Sequence, residues 1–244
     1  MTSHASVFDE IQWHNSSVPT MLKIRDELPE VKTLILEFAI RSSALKQSLP
    51  DILSAYQMII DCFSEGGTLF ISGNGGSFAD AMHISGELLK SYLKKRNLPQ
   101  SDIDKFRSMP FGEELIEGLE VGFPVVVLGL NSSLVSALEN DIETRYIAYA
   151  QELYALGNPG DVFWGISTSG NAKNVAYAMT TARVIGMSSI GLTGGTGGRF
   201  SELADVCLCV PESETFKVQE MHVQIYHLMC AMIEATFFTH HKNH

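Results

Sequence analysis

Apolar positions recur along this chain in two rhythms. From about Leu28 to Lys46, Val31, Leu34, Ile35, Phe38 and Ala39 fall three and four apart, the spacing of one helical face. Ser48, Pro50 and Asp51 then mark a helix start, and LPDILSAYQMIIDCF continues as an amphipathic helix that Gly66 and Gly67 end. Beyond them the rhythm changes to short continuous apolar runs: TLFISG (68–73), PVVVLGL (124–130), DVFWGIS (161–167), SSIGLTG (188–194) and ADVCLCV (204–210). Helical stretches are expected at about 77–95, 133–156, 171–186 and 216–238. Short apolar strands alternating with helices predict a doubly wound α/β fold, its parallel sheet covered on both faces.

Two segments stand outside this alternation. Residues 1–25 show no clear period and are expected to form an arm ahead of a single domain over 26–244. The stretch of about 94–122 is polar, mixed in charge and too long for a tight connection, so it reads as an inserted helical excursion.

Composition narrows the range of partners. With 244 residues, 45% hydrophobic and 18% charged, the chain can bury a sizeable core. A formal net charge of −11 argues against a nucleic-acid backbone as main partner, because binding one needs clustered Lys and Arg. An anion can still be held locally by backbone amides. The four cysteines form no CxxC pair, which suits a reducing, cytoplasmic setting; Cys207 and Cys209 share one side of a strand. MTSHASVFDEIQWHN lacks the regions of a signal peptide, and no apolar run approaches the ~20 residues of a membrane span.

Candidate chemistry gathers where strands end and helices begin. In open parallel sheets, ligands bind at the carboxyl ends of strands. Gly73-Asn74-Gly75-Gly76-Ser77 follows the first strand, and Ser167-Thr168-Ser169-Gly170-Asn171 follows the third. Glycine allows close backbone approach, and hydroxyls with free helix-start amides donate to an anion, Ser77 among them. Without a GK[ST] sequence these turns suit a phosphomonoester better than a nucleoside triphosphate. Such residues are also ordinary turn and cap chemistry, so neither turn alone defines a site. A third glycine-rich run, TGGTGGRF (193–200), reads as a loop.

Two helices add polar groups. His83 and Glu87, four apart, share a face, though most such pairs are simple intrahelical contacts. KVQEMHVQIYHLMCAMIEATFF carries Gln219, Glu220, His222 and His227. Gln219 and His227 lie roughly 12 Å apart along a straight helix, so spacing alone does not make them joint metal ligands. His222 is expected to pack or to hydrogen-bond behind the site. Trp13 and Trp164 read as core or contact residues, and the terminal THHKNH as a frayed tail.

GNGGSFADAMHISGELL, ISTSGNAKNV, GLTGGTGGRFSELADVCLCVP and FKVQEMHVQIYH together resemble, in order, the bacterial phosphoheptose isomerases, which are sugar-isomerase (SIS) domain enzymes. The likeness covers about Leu49 to Phe238, interrupted by the 94–122 insertion. It implies a flavodoxin-like, five-stranded parallel sheet in a homotetramer with active sites at subunit contacts. It implies zinc held by His83, Glu87, Gln219 and His227, and a phosphate turn at Ser167, Thr168 and Ser169. Sugar contacts would come from Asn74, Gly75 and Gly76, and from Asn140 and Asp141. The family interconverts sedoheptulose 7-phosphate and D-glycero-D-manno-heptose 7-phosphate, and the acid and base roles would fall to Glu87 and His227 through an enediol.

This chain departs from the family pattern at two positions. Ala172 stands where the family has a phosphate-binding hydroxyl. Ser91 replaces an arginine four residues after Glu87, with Lys90 and Lys94 nearby. These departures keep open an isomerase of a different sugar phosphate. A non-catalytic SIS-type sensor or assembly factor is a further alternative. One such protein tetramerises and binds the bacterial replication initiator, but that branch lacks counterparts of Glu87 and His227. Both are present here, which favours the enzyme.

Overall fold

A computed structural model describes residues 6–238, so the terminal THHKNH lies outside the described residues. The chain opens with two helices, α1 (Ser6–Asp9) and α2 (Val18–Glu27). The arm expected over 1–25 is, in its described part, tied to the body. Phe8, Ile11 and Ile24 are buried in the main core, and the Trp13 indole donates to the Phe8 carbonyl (2.7 Å). Their sequence spacing follows no single period because they enter the core from two short helices and a bend.

Next come α3 (Pro29–Arg41), a 3-10 turn (Ser43–Ser48) and α4 (Leu49–Ser64). Pro50 lies in the first turn of α4, where its missing N–H costs nothing. Gly66, at φ +79°, ends the run.

The alternating part then follows: β1 (Leu69–Ser72), α5 (Gly76–Leu89), α6 (Gln100–Phe106), α7 (Gly112–Gly118) and β2 (Val125–Val127). After these come α8 (Ser132–Asp141), α9 (Ala148–Leu156), β3 (Val162–Ile166) and α10 (Lys173–Ile185). β4 (Ser188–Gly194), α11 (Phe200–Leu203), β5 (Val206–Val210) and α12 (Thr215–Phe237) complete the chain. All five expected strands form, parallel throughout, in the flavodoxin-like order β2-β1-β3-β4-β5. Their apolar runs are continuous because both faces are covered. Ile71, Trp164, Ile190 and Leu208 face the larger core with α3, α4, α5 and α12. Phe70 and Phe163, paired in register, face the smaller core with α9, α10 and α11.

Two boundaries differ from the expected ones. The helix expected over 133–156 is two, α8 and α9, parted by extended Ile142 and by Tyr146 at φ +69°. α8 buries no residue, so its apolar positions carry the helical rhythm without anchoring the helix to the core. α5 stops at Leu89 instead of about 95. Arg96 takes the Glu87 and Leu88 carbonyls (3.1 and 2.7 Å), and the chain turns away around Glu234. The 94–122 stretch holds the short helices α6 and α7, which contact each other, and exposes Met109 and Phe111.

Candidate active site

The β1–α5 turn depends on glycine for two different reasons. Gly75 takes φ +55°, ψ −120°, a conformation that side chains resist. At Gly76 a Cβ would lie 2.3 Å from the Gln219 amide nitrogen, so the bare backbone makes room for that side chain. Asn74 and Asn174 exchange amide hydrogen bonds (2.9 and 2.8 Å), and the Tyr149 hydroxyl donates to the Gly73 carbonyl (2.6 Å). Ser77 is buried at the start of α5, and its amide donates to the Asn74 carbonyl (3.0 Å).

The second turn is braced by the third glycine run. Ser167 is buried, Thr168 half-buried and Ser169 exposed. The Gly194 amide donates to Thr168 O (3.0 Å), and Gly170, at φ +64°, packs so closely on Gly197 that a Cβ there would lie 1.9 Å from its carbonyl oxygen. Asn171 closes the frame: its amide donates to Ser169 O, and the Arg199 N–H donates to its Oδ1. The N-terminal end of α10 begins at Ala172, which has no side chain to cap it. Run 193–200 therefore supports the hydroxyl turn from behind.

α5 and α12 leave the ligand-binding end of the sheet side by side and in the same direction. Gly76 therefore meets Gln219, and two turns on, His83 meets His227. The His83 Nε2 is 3.1 Å from Glu87 Oε1 and 3.5 Å from His227 Nε2. One ligand atom from each of the three residues lies within 4.8 Å of the others. Tetrahedral coordination at ~2.0–2.1 Å has edges of about 3.3 Å, so the two short separations match a divalent cation such as zinc. Gln219, the fourth expected ligand, is placed against Gly76, seven residues and roughly 10 Å before His83 along the helix.

The ring of His227 stands edge-on to those of His83 and Tyr226, and Tyr92 lies beside it (5.9 Å). Burial lowers the His227 pKa and nearby His83 lowers it further, while Glu87 opposes both, so the imidazole favours its neutral form. Behind His83, its Nδ1 sits 3.0 Å from the Tyr226 hydroxyl, which is 3.3 Å from Asp80 Oδ1. Burial raises the pKa of Tyr226, and the Asp80 charge adds to it. Asp80 and Tyr226 escaped the sequence reading. Asp80 does stand three residues before His83, on the same face, but a tyrosine in an apolar helix reads as core.

Next to the Asn74–Asn174 pair opens a cavity of about 540 Å³, lined by Tyr149, Asn174, Arg145, Tyr146 and Leu138. That volume lies within the ordinary range for small-ligand sites. Asn140 and Asp141 are exposed, hydrogen-bonded to each other (2.8 Å), and sit between the lining residues Glu139 and Ile142. The structure does not bring them into contact with the glycine turn. Nor do the lysines near Ser91 supply a cation to Glu87. Lys94 pairs with Glu30 (2.5 Å) and Lys90 turns to the Ser91 carbonyl. The Arg96 guanidinium reaches this end of α5, at the Glu87 carbonyl, and the charge of Arg41 acts on Tyr92 and His227 nearby. His222 is fully buried, and burial pushes its pKa down to about 4 against a smaller backbone effect from Thr193.

Comparison with known proteins gives the same picture. A SIS domain family model matches residues 122–194. A phosphoheptose isomerase from Roseiflexus sp. (strain RS-1) is 33% identical over 199 residues, 82% of this chain and 88% of its own length. The Rhodospirillum rubrum phosphoheptose isomerase is 36% identical over 185 residues, covering 76% of this chain and 85% of its own. Among solved structures, phosphoheptose isomerase from Neisseria gonorrhoeae superimposes with TM-score 0.63 at 28% identity, over 88% of this chain and 98% of that one. A sheet in the order 2-1-3-4-5, an open His–Glu–His cluster and relatives matched across most of their length agree: the chain belongs to the phosphoheptose isomerase family of SIS-domain aldose–ketose isomerases.

Proposed function

We propose that this chain converts sedoheptulose 7-phosphate to D-glycero-D-manno-heptose 7-phosphate, with Glu87 and His227 as base and acid. The observation that carries the reading is the convergence of His83 and Glu87 on α5 with His227 on α12, the helix that runs beside it from the end of the sheet where the hydroxyl-bearing turns lie. The ketose keeps its carbonyl at C2. Glu87, as a carboxylate, takes a proton from C1 while neutral His227 gives one to the C2 oxygen, forming the enediol. Glu87 then returns its proton to C2, and the C1 hydroxyl proton passes to His227, leaving the aldehyde at C1. No proton is gained or lost overall.

Anion binding at Ser167, Thr168 and Ser169 would hold the phosphate, with the Asn74–Gly76 turn and Ser77 against the sugar. That remote binding orients the reacting carbons. Asn140 and Asp141, at the flank of the cavity, would reach the sugar from the other side. His83, Glu87 and His227 would hold zinc, with Gln219 as the fourth ligand that the family resemblance implies. When bound, the cation supplies Lewis-acid polarisation of the substrate oxygens. A homotetramer fits the half-open site: the His83 side chain is 45% exposed in the single chain. Incubation with a panel of ketose phosphates tests the reading. Turnover is expected with the seven-carbon substrate. Conversion of another sugar phosphate alone would identify an isomerase of different specificity, and no turnover with any would leave a sugar-phosphate-binding module.

A further inference from the structure

His83 meets the cluster through Nε2 and leaves Nδ1 facing inward. What Nδ1 finds there decides what Nε2 can do. Its neighbour is the Tyr226 hydroxyl at 3.0 Å, and that hydroxyl is 3.3 Å from Asp80 Oδ1. A phenol has one proton to give. When a cation takes the Nε2 lone pair, the ring proton sits on Nδ1 and the phenol oxygen accepts it, while the phenol gives its own proton to Asp80 Oδ1, since an ionised carboxylate only accepts. A neutral imidazole protonated at Nδ1 has its lone pair at Nε2, aimed at Glu87 and His227.

The rings support the same arrangement. Tyr226 is 1% exposed, and its ring stands edge-on to His83 (centroids 5.4 Å, 71°) and to His227 (4.9 Å, 82°). Asp80 and His83 lie one turn apart on α5, while Tyr226 comes from α12, so the contact joins the two helices that carry the site. Asp80 Oδ2 is buried without a hydrogen-bond partner, so the Tyr226 contact is the carboxylate's link to this cluster.

We infer that Tyr226 and Asp80 are positioning residues which fix His83 as an Nε2 donor and so tune the affinity of the cluster for a divalent cation. The inference rests on the metal-site reading above and deepens it. Outer partners of this kind commonly change metal affinity by about 10–100-fold. Asp80 acts on the site only by way of Tyr226, so the two effects share one path and do not add.

Zinc affinity of the full-length protein, measured by competition with a chromophoric chelator, tests this, together with the visible absorption of the Co(II)-loaded protein. Tyr226→Phe keeps the ring and removes only the hydroxyl. It should weaken zinc binding at least tenfold and alter the cobalt spectrum, with the circular dichroism of the metal-free protein unchanged. Asp80→Asn should shift affinity in the same direction, and Tyr226→Phe/Asp80→Asn should bind no more weakly than Tyr226→Phe alone. Wild-type zinc affinity and cobalt spectrum in both single variants would overturn the inference and leave the metal centre standing. So would effects that add in the double variant. Failure of the wild-type protein to bind either ion would remove the centre itself, and the brace with it. If Tyr226→Phe does not fold, Asp80→Asn decides alone: unchanged affinity there overturns the proposal.

Discussion

At the scale of single residues, the site sorts its histidines by surroundings. His83 is half-exposed and paired on both ring nitrogens, and His227 is edged by aromatic rings. His222, three residues after Gln219, is sealed in the core. The burial of His222 makes a prediction about acid stability. Its folded pKa, about 4, lies below the ordinary 6.5, so between those values the unfolded chain binds more protons than the folded one. Stability therefore rises with pH across that window and is lost as pH falls from about 6.5 towards 4. The full shift corresponds to about 3 kcal/mol. Urea unfolding at pH 7 and pH 5 should show the loss in the wild type and a smaller one in His222→Leu. Equal losses in the two proteins would mean that His222 is not the group that titrates.

At the scale of elements, two helices far apart in the sequence, α5 and α12, act as one unit. α5 and α12 meet at Gly76–Gln219, at His83–His227, and again through the Arg96–Glu234 pair, whose side chains are 0% and 1% exposed. Glu234 accepts from the Tyr92, Leu93 and Lys94 amides as well as from Arg96, which also caps the carbonyl end of α5 and stacks on Phe123 and Phe238. Removing one member of such a pair leaves a buried charge. Arg96→Met should cost about 3–5 kcal/mol in chemical denaturation, and a loss below about 1 kcal/mol would show the pair to be dispensable. Little of this clamp was legible in the sequence, because Arg96 lies in a polar stretch and Glu234 is a single acid in an apolar helix. The strands were legible for the opposite reason: LFIS and VFWGI are buried on both faces, so composition alone marks them. The α8–α9 break was hidden because Leu134, Val135 and Leu138 continue the helical rhythm; Val135 and Leu138 spend it on a cavity wall. The spacing of His83 and Glu87 was weak by itself and the family resemblance singled them out, whereas Tyr226 and Asp80 needed three dimensions.

At the scale of the whole molecule, an acidic chain of net charge −11 presents cationic groups beside its ligand-binding end. Arg145 lines the cavity, and Lys173 opens α10, its ammonium lying near the Tyr146 and Tyr177 rings. No helix of the described residues is long and apolar enough to cross a membrane. The sheet brings its first and third strands together at the centre, so their turns form one edge, and α12 returns from the far side to complete it. In the proposed mechanism, aldose–ketose chemistry depends on one carboxylate, that of Glu87, more than on any other group. The direct measurement is the rate of sedoheptulose 7-phosphate isomerisation by Glu87→Gln against wild type, with folding and phosphate binding checked in parallel. A general base commonly supplies 10²–10⁴-fold, so turnover should fall by about that factor in a folded variant that still binds phosphate. A Glu87→Gln protein that isomerises at the wild-type rate would contradict the assignment.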